Sequence, residues 1–393
     1  MNERQILMIP GPTPLPAQAL RAMAKPMINH RGPEFGAMLS EVEERLKQVF
    51  GTSQPIFLLT CSGTGAMEAL VVNTLSPGDL VLSCPCGVFG ERFAKIAETY
   101  GARVERLETP FGEAVSPARV RQRLDQDQAR EIRALLLTHN ETSTGVQNDL
   151  KALRDAAADH PALLLVDAVS SLAAMELAMD KWGLDGVASA SQKALMAAPG
   201  LAFVAMSEKA WSAHRQARMP RFYFDLSTAA KFRDKGQTPF TPAVSQLFGL
   251  RESLELLFSE GLEACVARHR VLALATRRGI EGMGLSLFAK DGAASQTVTA
   301  VKIPAGLEIK KFREMLRTEY GVVISGGQAS LENAIFRIGH LGHVGSQEVL
   351  ITLAAVEMAL HRQGLDIALG KGVSRAQNVF LGKSVETPTP SLA

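Results

Sequence analysis

Two stretches of the sequence decide the fold: residues 162–167, ALLLVD, and residues 186–193, GVASASQK. Each contains a run of small or apolar residues about as long as a strand. Asp167 closes the first run and Lys193 follows the second. Strands that are apolar throughout are typical of a parallel sheet that is buried on both faces. We therefore predict buried strands at 162–167 and 186–190, with an acid and a lysine near their carboxyl ends.

The same pattern continues along the chain on both sides of these stretches. Short apolar runs alternate with helical patterns, which favours a mainly parallel sheet covered by helices on both faces. Further strands are predicted at 56–60, 80–83, 102–107, 134–138 and 201–206, and helices at 65–75, 88–100, 116–127 and 148–158. The predicted fold class is α/β, with a mainly parallel seven-stranded sheet in the large domain.

The chain divides into four segments. Prolines recur in residues 1–18 and predict an extended N-terminal arm, because proline fixes φ and removes a hydrogen-bond donor. The α/β pattern makes residues 19–260 a large domain, and residues 261–380 are predicted to be a smaller α+β domain. Residues 381–393 are polar and contain prolines, so we expect a flexible tail. In the small domain we predict strands at 295–303, 321–324 and 334–338, and helices at 307–319 and 345–362.

Composition excludes several classes of protein. Of 393 residues, 46% are apolar and 21% are charged, which excludes extensive disorder. The formal net charge is +2 with no run of like charges, so neither a nucleic acid nor a membrane surface is an expected partner. Four cysteines are too few for a disulfide scaffold, and we predict no metal site. No apolar run is long enough for a signal peptide or a membrane span, so we expect a cytoplasmic protein.

A loop rich in hydroxyl groups and glycine, residues 60–65 (TCSGTG), joins a predicted strand to a predicted helix. Free backbone N–H groups, the helix dipole and the close approach that glycine permits all favour an anion at such a place. The loop lacks the lysine of a Walker loop and the third glycine of a GxGxxG motif. Taken alone, it is also compatible with an ordinary strand-to-helix turn.

Three charged residues stand in unusual surroundings. Asp167 ends an apolar strand, where burying an acid is costly without a cationic or protonated partner. Lys193 has no charged neighbour in a stretch of small residues, and desolvation lowers a lysine pKa and makes the amine nucleophilic. Arg337 lies within the apolar run 334–338, and its planar guanidinium matches a carboxylate. Singly, each could be structural: a cap, an exposed lysine or a salt bridge.

Together these features match one cofactor. A phosphate cradle, an acid for a pyridinium nitrogen, a lysine for a Schiff base and an arginine for a carboxylate are the parts that pyridoxal 5'-phosphate (PLP) requires. All four lie near the predicted carboxyl ends of strands, where open α/β sheets bind ligands.

At this point the sequence resembles the fold-type I, class V aminotransferases, in particular the alanine–glyoxylate/serine–pyruvate aminotransferase group. The resemblance covers nearly the whole chain, from IPGPTPLP (9–16) to FRIGHLG (336–342). Its motifs are CSGTGAMEA (61–69), GVFGERF (87–93), HNETSTG (139–145), VDAVSSL (166–172), SQK (191–193) and TPFTPAVS (238–245). It implies a PLP transferase with a large domain and a smaller C-terminal domain.

The resemblance also implies roles for individual residues. The catalytic positions are Lys193, which would bind the cofactor and transfer the proton, and Asp167, which would partner the pyridinium nitrogen. Arg337 would grip the substrate carboxylate, and Gly11 belongs to an arm that lines the substrate pocket. The other cofactor-binding positions are Ser62, Gly63, Thr64 and Gln192 at the phosphate, Thr142 near the phenolic oxygen, Val169 and Phe89 against the ring, and Thr241 at the phosphate of the neighbouring subunit. Many relatives have tyrosine where this chain has Thr238.

The implied function is ping-pong transamination between a small amino acid, alanine or serine, and a small 2-oxo acid, glyoxylate or pyruvate. The implied assembly is a homodimer with shared active sites. Aspartate or another amino donor stays an alternative, since His30-Arg31 could supply a second cation or be a structural pair. A non-enzymatic PLP-binding accessory subunit is a further alternative, although it would be expected to lose Lys193 or Arg337. A cysteine desulfurase is disfavoured, because residues 321–333 contain no cysteine.

Overall fold

The structure, a computed structural model, describes residues 5–290 and 292–383. Two main sheets and a small hairpin form its β structure. The strands are β1 (Ile6–Met8), β2 (Ile56–Leu59), β3 (Leu80–Ser83), β4 (Arg103–Arg106), β5 (Ile132–Thr138), β6 (Asn140–Glu141), β7 (Val146–Gln147), β8 (Leu163–Asp167), β9 (Gly186–Ala190), β10 (Ala202–Met206), β11 (Val298–Lys302), β12 (Val322–Gly326) and β13 (Ile335–Gly339).

Helices cover both faces of the central sheet and one face of the second sheet. They are α1 (Ala17–Met23), α2 (Pro33–Phe50), α3 (Gly63–Thr74), α4 (Val88–Thr99), α5 (Pro117–Gln126), α6 (Leu150–Ala156), α7 (Met179–Trp182), α8 (Glu208–His214), α9 (Leu226–Arg233), α10 (Val244–Glu260), α11 (Leu262–Gly282), α12 (Ile309–Thr318), α13 (Ser346–Arg362) and α14 (Lys371–Phe380). Among the described residues, no helix combines the length and the apolar character that crossing a membrane requires.

The seven predicted strands form one sheet in the order β2-β10-β9-β8-β5-β3-β4, which confirms the predicted fold class. Only β10 runs antiparallel to its two neighbours. In the register, Asp167 pairs with Thr138 on one side and with Ala188 on the other. The carboxyl ends of β5, β8 and β9 therefore meet at one edge, and the loops that follow them can share a site.

Uninterrupted apolar sequence is what lets this sheet be buried on both faces. In β8, Leu164 and Val166 belong to one buried cluster, while Leu163 and Leu165 belong to the cluster on the opposite face. Successive strand residues point to opposite faces, so a strand between two helical layers must be apolar at every position. This explains why the strand ends at Asp167, the first residue with a charge.

The second sheet has the order β1-β12-β13-β11 and belongs to the C-terminal part of the chain, apart from its first strand. Here the structure differs from the predicted arm: residues 6–8 form β1, parallel to β12, and α1 begins at Ala17. Ile6, Leu7 and Met8 precede the first proline, so they can pair before the chain becomes extended. Of the predicted tail, 381–393, residues 384–393 lie outside the described residues.

Candidate active site

A cavity of about 320 Å³ opens at the edge of the central sheet where the carboxyl ends of the parallel strands lie. It brings together nine of the predicted site residues and four others. The lining residues are Ser62, Gly63, Thr64, Met67, Phe89, Arg92, Asn140, Thr142, Asp167, Val169, Ser170, Gln192 and Lys193.

Asp167 lies in the wall of this cavity and is almost fully buried, with 5% of its surface exposed. Burial raises the pKa of its carboxyl group to about 7, although a hydrogen bond from the Val169 backbone N–H (2.9 Å) opposes the rise. Within the described chain this is the only hydrogen bond to its side chain. A buried carboxyl group with so few donors fits a protonated ring nitrogen, which would supply both the charge and the missing donor.

Lys193 follows β9 and points into the same cavity. Burial lowers the pKa of its ammonium group to about 8, and the Asp167 carboxylate offsets part of that effect. Its Nζ donates a hydrogen bond of 2.6 Å to the Pro10 carbonyl oxygen in the N-terminal segment. About a tenth of this amine is therefore neutral at pH 7, and the neutral amine is the form that can attack an aldehyde or accept a proton.

The N-terminal segment closes over Lys193. A methyl group added at Gly11 would lie only 2.6 Å from Lys193 Nζ, and Gly11 has φ of +133°. Both the close contact and the backbone conformation therefore require glycine at this position. Thr13 fixes the segment by donating its N–H to the Gln192 carbonyl (3.1 Å) and its hydroxyl to the Lys193 carbonyl (2.9 Å). Gly11 therefore lies against the Lys193 side chain, next to the cavity.

The predicted phosphate cradle is the first turn of α3. Ser62 is its N-cap residue and makes no capping hydrogen bond with its side chain. The N–H groups of Gly63 and Thr64 have no intrahelical acceptor, as is general for a first turn, so they are available to an anion. A methyl group at Gly63 would lie 2.6 Å from a Val169 methyl carbon, so glycine lets the helix approach the cavity.

Gln192 completes this side of the cavity. Its side-chain oxygen is buried and has no hydrogen-bond partner in the described chain. Turning the amide by half a rotation would direct its NH2 group at a phosphate instead. The cradle and the buried acid together fit the two ends of PLP.

Phe89 lies on the first turn of α4, and Glu141 fixes that turn. The buried Glu141 carboxylate accepts hydrogen bonds from the N–H groups of Phe89 and Gly90, each at 3.0 Å. It also accepts from the Ser143 hydroxyl at 2.6 Å. These bonds oppose the rise in the pKa of Glu141 that burial causes. Glu141 is thus a helix cap that holds the aromatic ring at the cavity wall.

Arg337 does not line the cavity directly; it lies behind Thr142. It is 5% exposed, donates from Nη1 to the Thr142 carbonyl oxygen (2.9 Å) and from Nε to the Gly326 carbonyl oxygen (2.9 Å). Burial lowers the pKa of its guanidinium to about 10. These bonds hold the fork in place next to the cavity and leave further N–H groups for a carboxylate.

The structure does not bring Thr241 into the cavity of its own chain: its side chain is exposed and absent from the cavity wall. The preceding residues are held by Arg31, which donates to the Thr238 carbonyl (2.6 Å) and the Pro239 carbonyl (3.2 Å). Arg31 is therefore bound to this segment, and the structure does not place it or His30 in the described cavity wall.

Sequence reasoning missed Met67, Arg92, Asn140 and Ser170 as lining residues, and Glu141 as a cap. Arg92 packs over the Phe89 ring, with its guanidinium carbon 4.8 Å from the ring centroid, and donates to the Thr64 hydroxyl at 3.3 Å. The spacing of three residues places Phe89 and Arg92 on one helical face, but that spacing alone does not distinguish a cavity residue from a solvated one.

The family model of the class V aminotransferases matches residues 9–344 of this chain. A "soluble hydrogenase 42 kDa subunit" from Anabaena cylindrica is 43% identical over 97% of this chain and 100% of that protein. An L-aspartate–glyoxylate aminotransferase from Paracoccus denitrificans is 40% identical over 97% of each chain. A serine–glyoxylate aminotransferase from Methylorubrum extorquens is 37% identical over 95% of this chain and 96% of that one. Among solved structures, the ureidoglycine–glyoxylate aminotransferase of Bacillus subtilis has a TM-score of 0.91, with 30% identity over 97% of this chain and 99% of that one.

The chain therefore belongs to the class V aminotransferases. It is a PLP-dependent transaminase that acts on an amino acid and a 2-oxo acid, as the sequence predicted.

Proposed function

We propose that this aminotransferase transfers the amino group of a small amino acid, alanine or serine, to glyoxylate or pyruvate by a ping-pong mechanism. The observation that carries the proposal is the joint placement of Asp167 and Lys193 in one buried cavity, with Arg337 fixed behind Thr142. A short substrate held by its carboxylate at Arg337 would direct its Cα toward Lys193.

The residues of this chain have distinct tasks in the proposed mechanism. PLP, when bound, supplies an aldehyde and a ring that accepts electrons from the substrate Cα. Asp167 would keep the ring nitrogen protonated, and Val169 and Phe89, which both line the cavity, would pack against the ring. Lys193 would accept the proton from the substrate Cα as a base and then, as an acid, donate it to the carbon that had been the cofactor's aldehyde. The Pro10 carbonyl oxygen, 2.6 Å away, orients its Nζ.

The phosphate would lie on the α3 turn, at Ser62, Gly63, Thr64 and Gln192. Thr142 donates its hydroxyl proton to Ser170 Oγ at 2.8 Å, and that pair would lie near the phenolic oxygen of the ring. The glyoxylate-utilising relatives support the choice of acceptor.

Aspartate is the second candidate donor, and Arg92 is the observation that favours it. Arg92 is an exposed cation in the cavity wall, where a second carboxylate of the substrate could reach it. Arg31, the cation considered from sequence, is instead occupied by the 237–239 segment. One of the glyoxylate-utilising relatives also uses aspartate.

A donor panel tests these alternatives. Alanine is paired with glyoxylate and 2-oxoglutarate, because alanine with pyruvate gives no net reaction. Serine and aspartate are each paired with glyoxylate, pyruvate and 2-oxoglutarate, and kcat/KM is measured for the wild type and for Arg92→Gln. The proposal expects alanine or serine with glyoxylate or pyruvate to give the highest value, with little change in Arg92→Gln. If aspartate gives the highest kcat/KM, and this value falls selectively in Arg92→Gln, then aspartate is the amino donor and the proposal of alanine or serine is wrong.

We also propose a homodimer in which Thr241 reaches the phosphate site of the partner. Support comes from its exposed position and from an aromatic cluster beside it. Phe222 is 81% exposed, and Tyr223 stacks on Phe240 at 4.9 Å. Tyr223 also donates to the Thr60 carbonyl (3.3 Å), which places the cluster next to the phosphate loop. Such exposed aromatic surface is typical of an interface.

Mixed dimers of Lys193→Ala and Thr241→Ala chains test the shared site. If sites are shared, one site of each mixed dimer carries both lesions and the other is intact, so activity is regained on mixing. A fully active monomer in sedimentation at assay concentration would contradict the proposal.

A non-enzymatic PLP-binding accessory subunit was the other alternative from sequence, and the match to the class V aminotransferases disfavours it, although the Anabaena relative is named as a subunit of another enzyme. Lys193, Asp167 and Arg337 are all present, as transamination would require. Titration of the holoenzyme with each donor separates the two functions. Stoichiometric release of the matching 2-oxo acid, pyruvate in the case of alanine, supports transamination, and no release of a 2-oxo acid from any donor of the panel supports an accessory role. We further propose a cytoplasmic location, which the four unpaired thiols support.

A further inference from the structure

A second polar cleft lies apart from the active site, between α11 and residues 287–290 and 292–296. Its volume is about 320 Å³, as large as the active-site cavity. Liquid water occupies about 30 Å³ per molecule, so there is room for a small ligand. The charged residues in its wall are four cations and one acid: Arg270, Arg277, Arg278, Lys290 and Glu281.

Two of these cations are already paired. Arg278 contacts Glu281 at 2.7 Å, and Lys290 contacts Glu113 at 2.5 Å. Within residues 5–290 and 292–383, neither Arg270 nor Arg277 has a carboxylate oxygen within 4.0 Å. The described wall therefore carries an excess of two positive charges after pairing.

Arg277 is the more buried of the two unpaired cations. Burial lowers the pKa of its guanidinium, and Glu281 only partly opposes this. Its Nη1 donates to the Ser295 carbonyl oxygen at 2.8 Å, and the described chain offers its other N–H groups no further acceptor. A partly buried guanidinium with free donors is costly unless an anion or water satisfies it.

The amides in the wall are unsatisfied as well. The side-chain oxygens of Gln147 and Gln296 are buried and have no hydrogen-bond partner in the described part of the chain. As placed, these two oxygens are acceptors, but turning each amide by half a rotation would present its NH2 group as a donor instead. Two free guanidinium forks and two such amides offer more donors than a carboxylate, with about four acceptor sites, can accept. A phosphate group, with more oxygens and up to two negative charges, matches them better.

A chain of hydrogen bonds joins this cleft to the active site. Ser295, whose carbonyl accepts from Arg277, donates its hydroxyl proton to Asn140 Oδ1 at 2.5 Å. Asn140 Nδ2 donates to Ser170 Oγ at 2.8 Å, and Asn140 and Ser170 both line the active-site cavity. Movement of Arg277 toward a ligand would therefore act on groups that line the catalytic cavity.

We propose that this cleft binds a phosphate group, as free phosphate or as part of a phosphate ester, and that its occupation alters the active site through Ser295 and Asn140. This goes beyond the proposed transamination and does not depend on which amino donor is used. The bound group is a regulator and undergoes no reaction.

Binding is measured first, by calorimetric titration of the holoenzyme with inorganic phosphate at constant ionic strength. We expect one saturable site per chain. Arg270→Gln and Arg277→Gln should each weaken it at least about tenfold, because each removes charge-assisted hydrogen bonds. Arg215→Gln, an exposed arginine outside the cleft, is the matched control and should leave it unchanged. Since Arg270 is exposed, Arg270→Gln decides the matter if Arg277→Gln does not fold.

Further arms identify the ligand's source and exclude other sites. Tighter binding of glycerol 3-phosphate than of inorganic phosphate supports an ester, and equal binding supports the free ion. Loss of binding in Arg337→Gln with retention in Arg270→Gln would place the phosphate in the substrate site and overturn the proposal. Asp291 lies outside the described residues, so Asp291→Asn is also titrated. If that variant binds phosphate and the wild type does not, the proposal fails.

Regulation is tested on the same proteins. Saturating phosphate should change KM for the amino donor at least about twofold in the wild type and leave Arg270→Gln unchanged. By linkage, phosphate should change the Kd of a substrate analogue, and the bound analogue should change the Kd of phosphate by the same factor. Phosphate that binds in the cleft without altering either quantity would overturn the coupling, and absence of saturable binding in the wild type would overturn the whole proposal.

Discussion

The two sides of the active-site cavity are built in different ways. On the deep side, Asp167 is almost fully buried and Lys193 is partly buried, and desolvation brings their pKa values to about 7 and about 8. On the outer side, the turns that carry Thr64 and Phe89 are only partly buried, and backbone N–H groups make up the binding surface. The deep side depends on single groups whose protonation is tuned by desolvation. The outer side spreads its binding over several weaker contacts, so loss of one group there should matter less.

The largest effect is expected for Lys193→Ala. Without the only lysine amine in the described cavity wall, transamination should fall by about 10⁴-fold or more, because both covalent attachment of the cofactor and the proton transfer are lost. Borohydride treatment followed by mass spectrometry should find no fixed cofactor. Lys95→Ala, an exposed lysine on α4, is the control and should behave as the wild type. A borohydride-fixed adduct in Lys193→Ala would show that another lysine is the anchor.

Asp167→Asn should be the next most damaging change. An amide cannot stabilise a positively charged ring nitrogen, so kcat should fall about 100-fold or more, while cofactor affinity falls less than about tenfold because the α3 turn is intact. Single-turnover rates and apoprotein titrations measure the two quantities separately. The opposite pattern, with cofactor lost and kcat near normal at saturation, would make Asp167 a structural residue.

The pH dependence of cofactor attachment tests whether the pKa of Lys193, on the deep side of the cavity, is lowered. Only the neutral Lys193 amine can attack an aldehyde, and its pKa is lowered to about 8. The attachment rate to apoprotein should therefore rise about tenfold per pH unit below pH 8 and level off above it. Asp167→Asn removes a carboxylate that raises the lysine pKa, so its profile should shift to lower pH. A profile that continues to rise toward pH 10 would show an unperturbed lysine.

The smallest effect is expected on the outer side. Arg92→Gln should weaken cofactor affinity by only about three- to tenfold, since Arg92 contacts the Thr64 hydroxyl and the Phe89 ring but the N–H groups of α3 remain. Fluorescence titration of the apoprotein measures it, with Arg103→Gln as a surface control. A loss of more than about 100-fold would mean that the outer side also depends on one residue.

Sequence patterns were sufficient for the central sheet, and the reason is physical. A strand that is covered on both faces must be apolar at every position, so runs such as 134–138 and 162–167 are unambiguous. β1 has only three residues and its partner, β12, is more than 300 residues away, so no local pattern could reveal it. The sequence pattern did not predict α14, because this helix has only ten residues and one of its faces is polar.

The active site shows the same division. Lys193 and Asp167 could be predicted because a charge in an apolar stretch demands an explanation. Arg92 and Glu141 could not, because charged residues on a helix or in a polar loop are ordinarily solvated. Their roles depend on which turn the chain folds back upon, and that is a property of tertiary contacts.

The pairing of β1 sets a length constraint on the catalytic amine. Met8 is paired with Ile324 in the second sheet, and two residues later the Pro10 carbonyl accepts the hydrogen bond from Lys193 Nζ. Two residues span at most about 7 Å, so the register of β1 with β12 limits where that carbonyl oxygen can lie. A slip of one residue would move the oxygen by about 3.3 Å, farther than a hydrogen bond can stretch. An insertion or deletion at residues 8–10 would then disable the lysine while leaving every residue of the cavity wall in place.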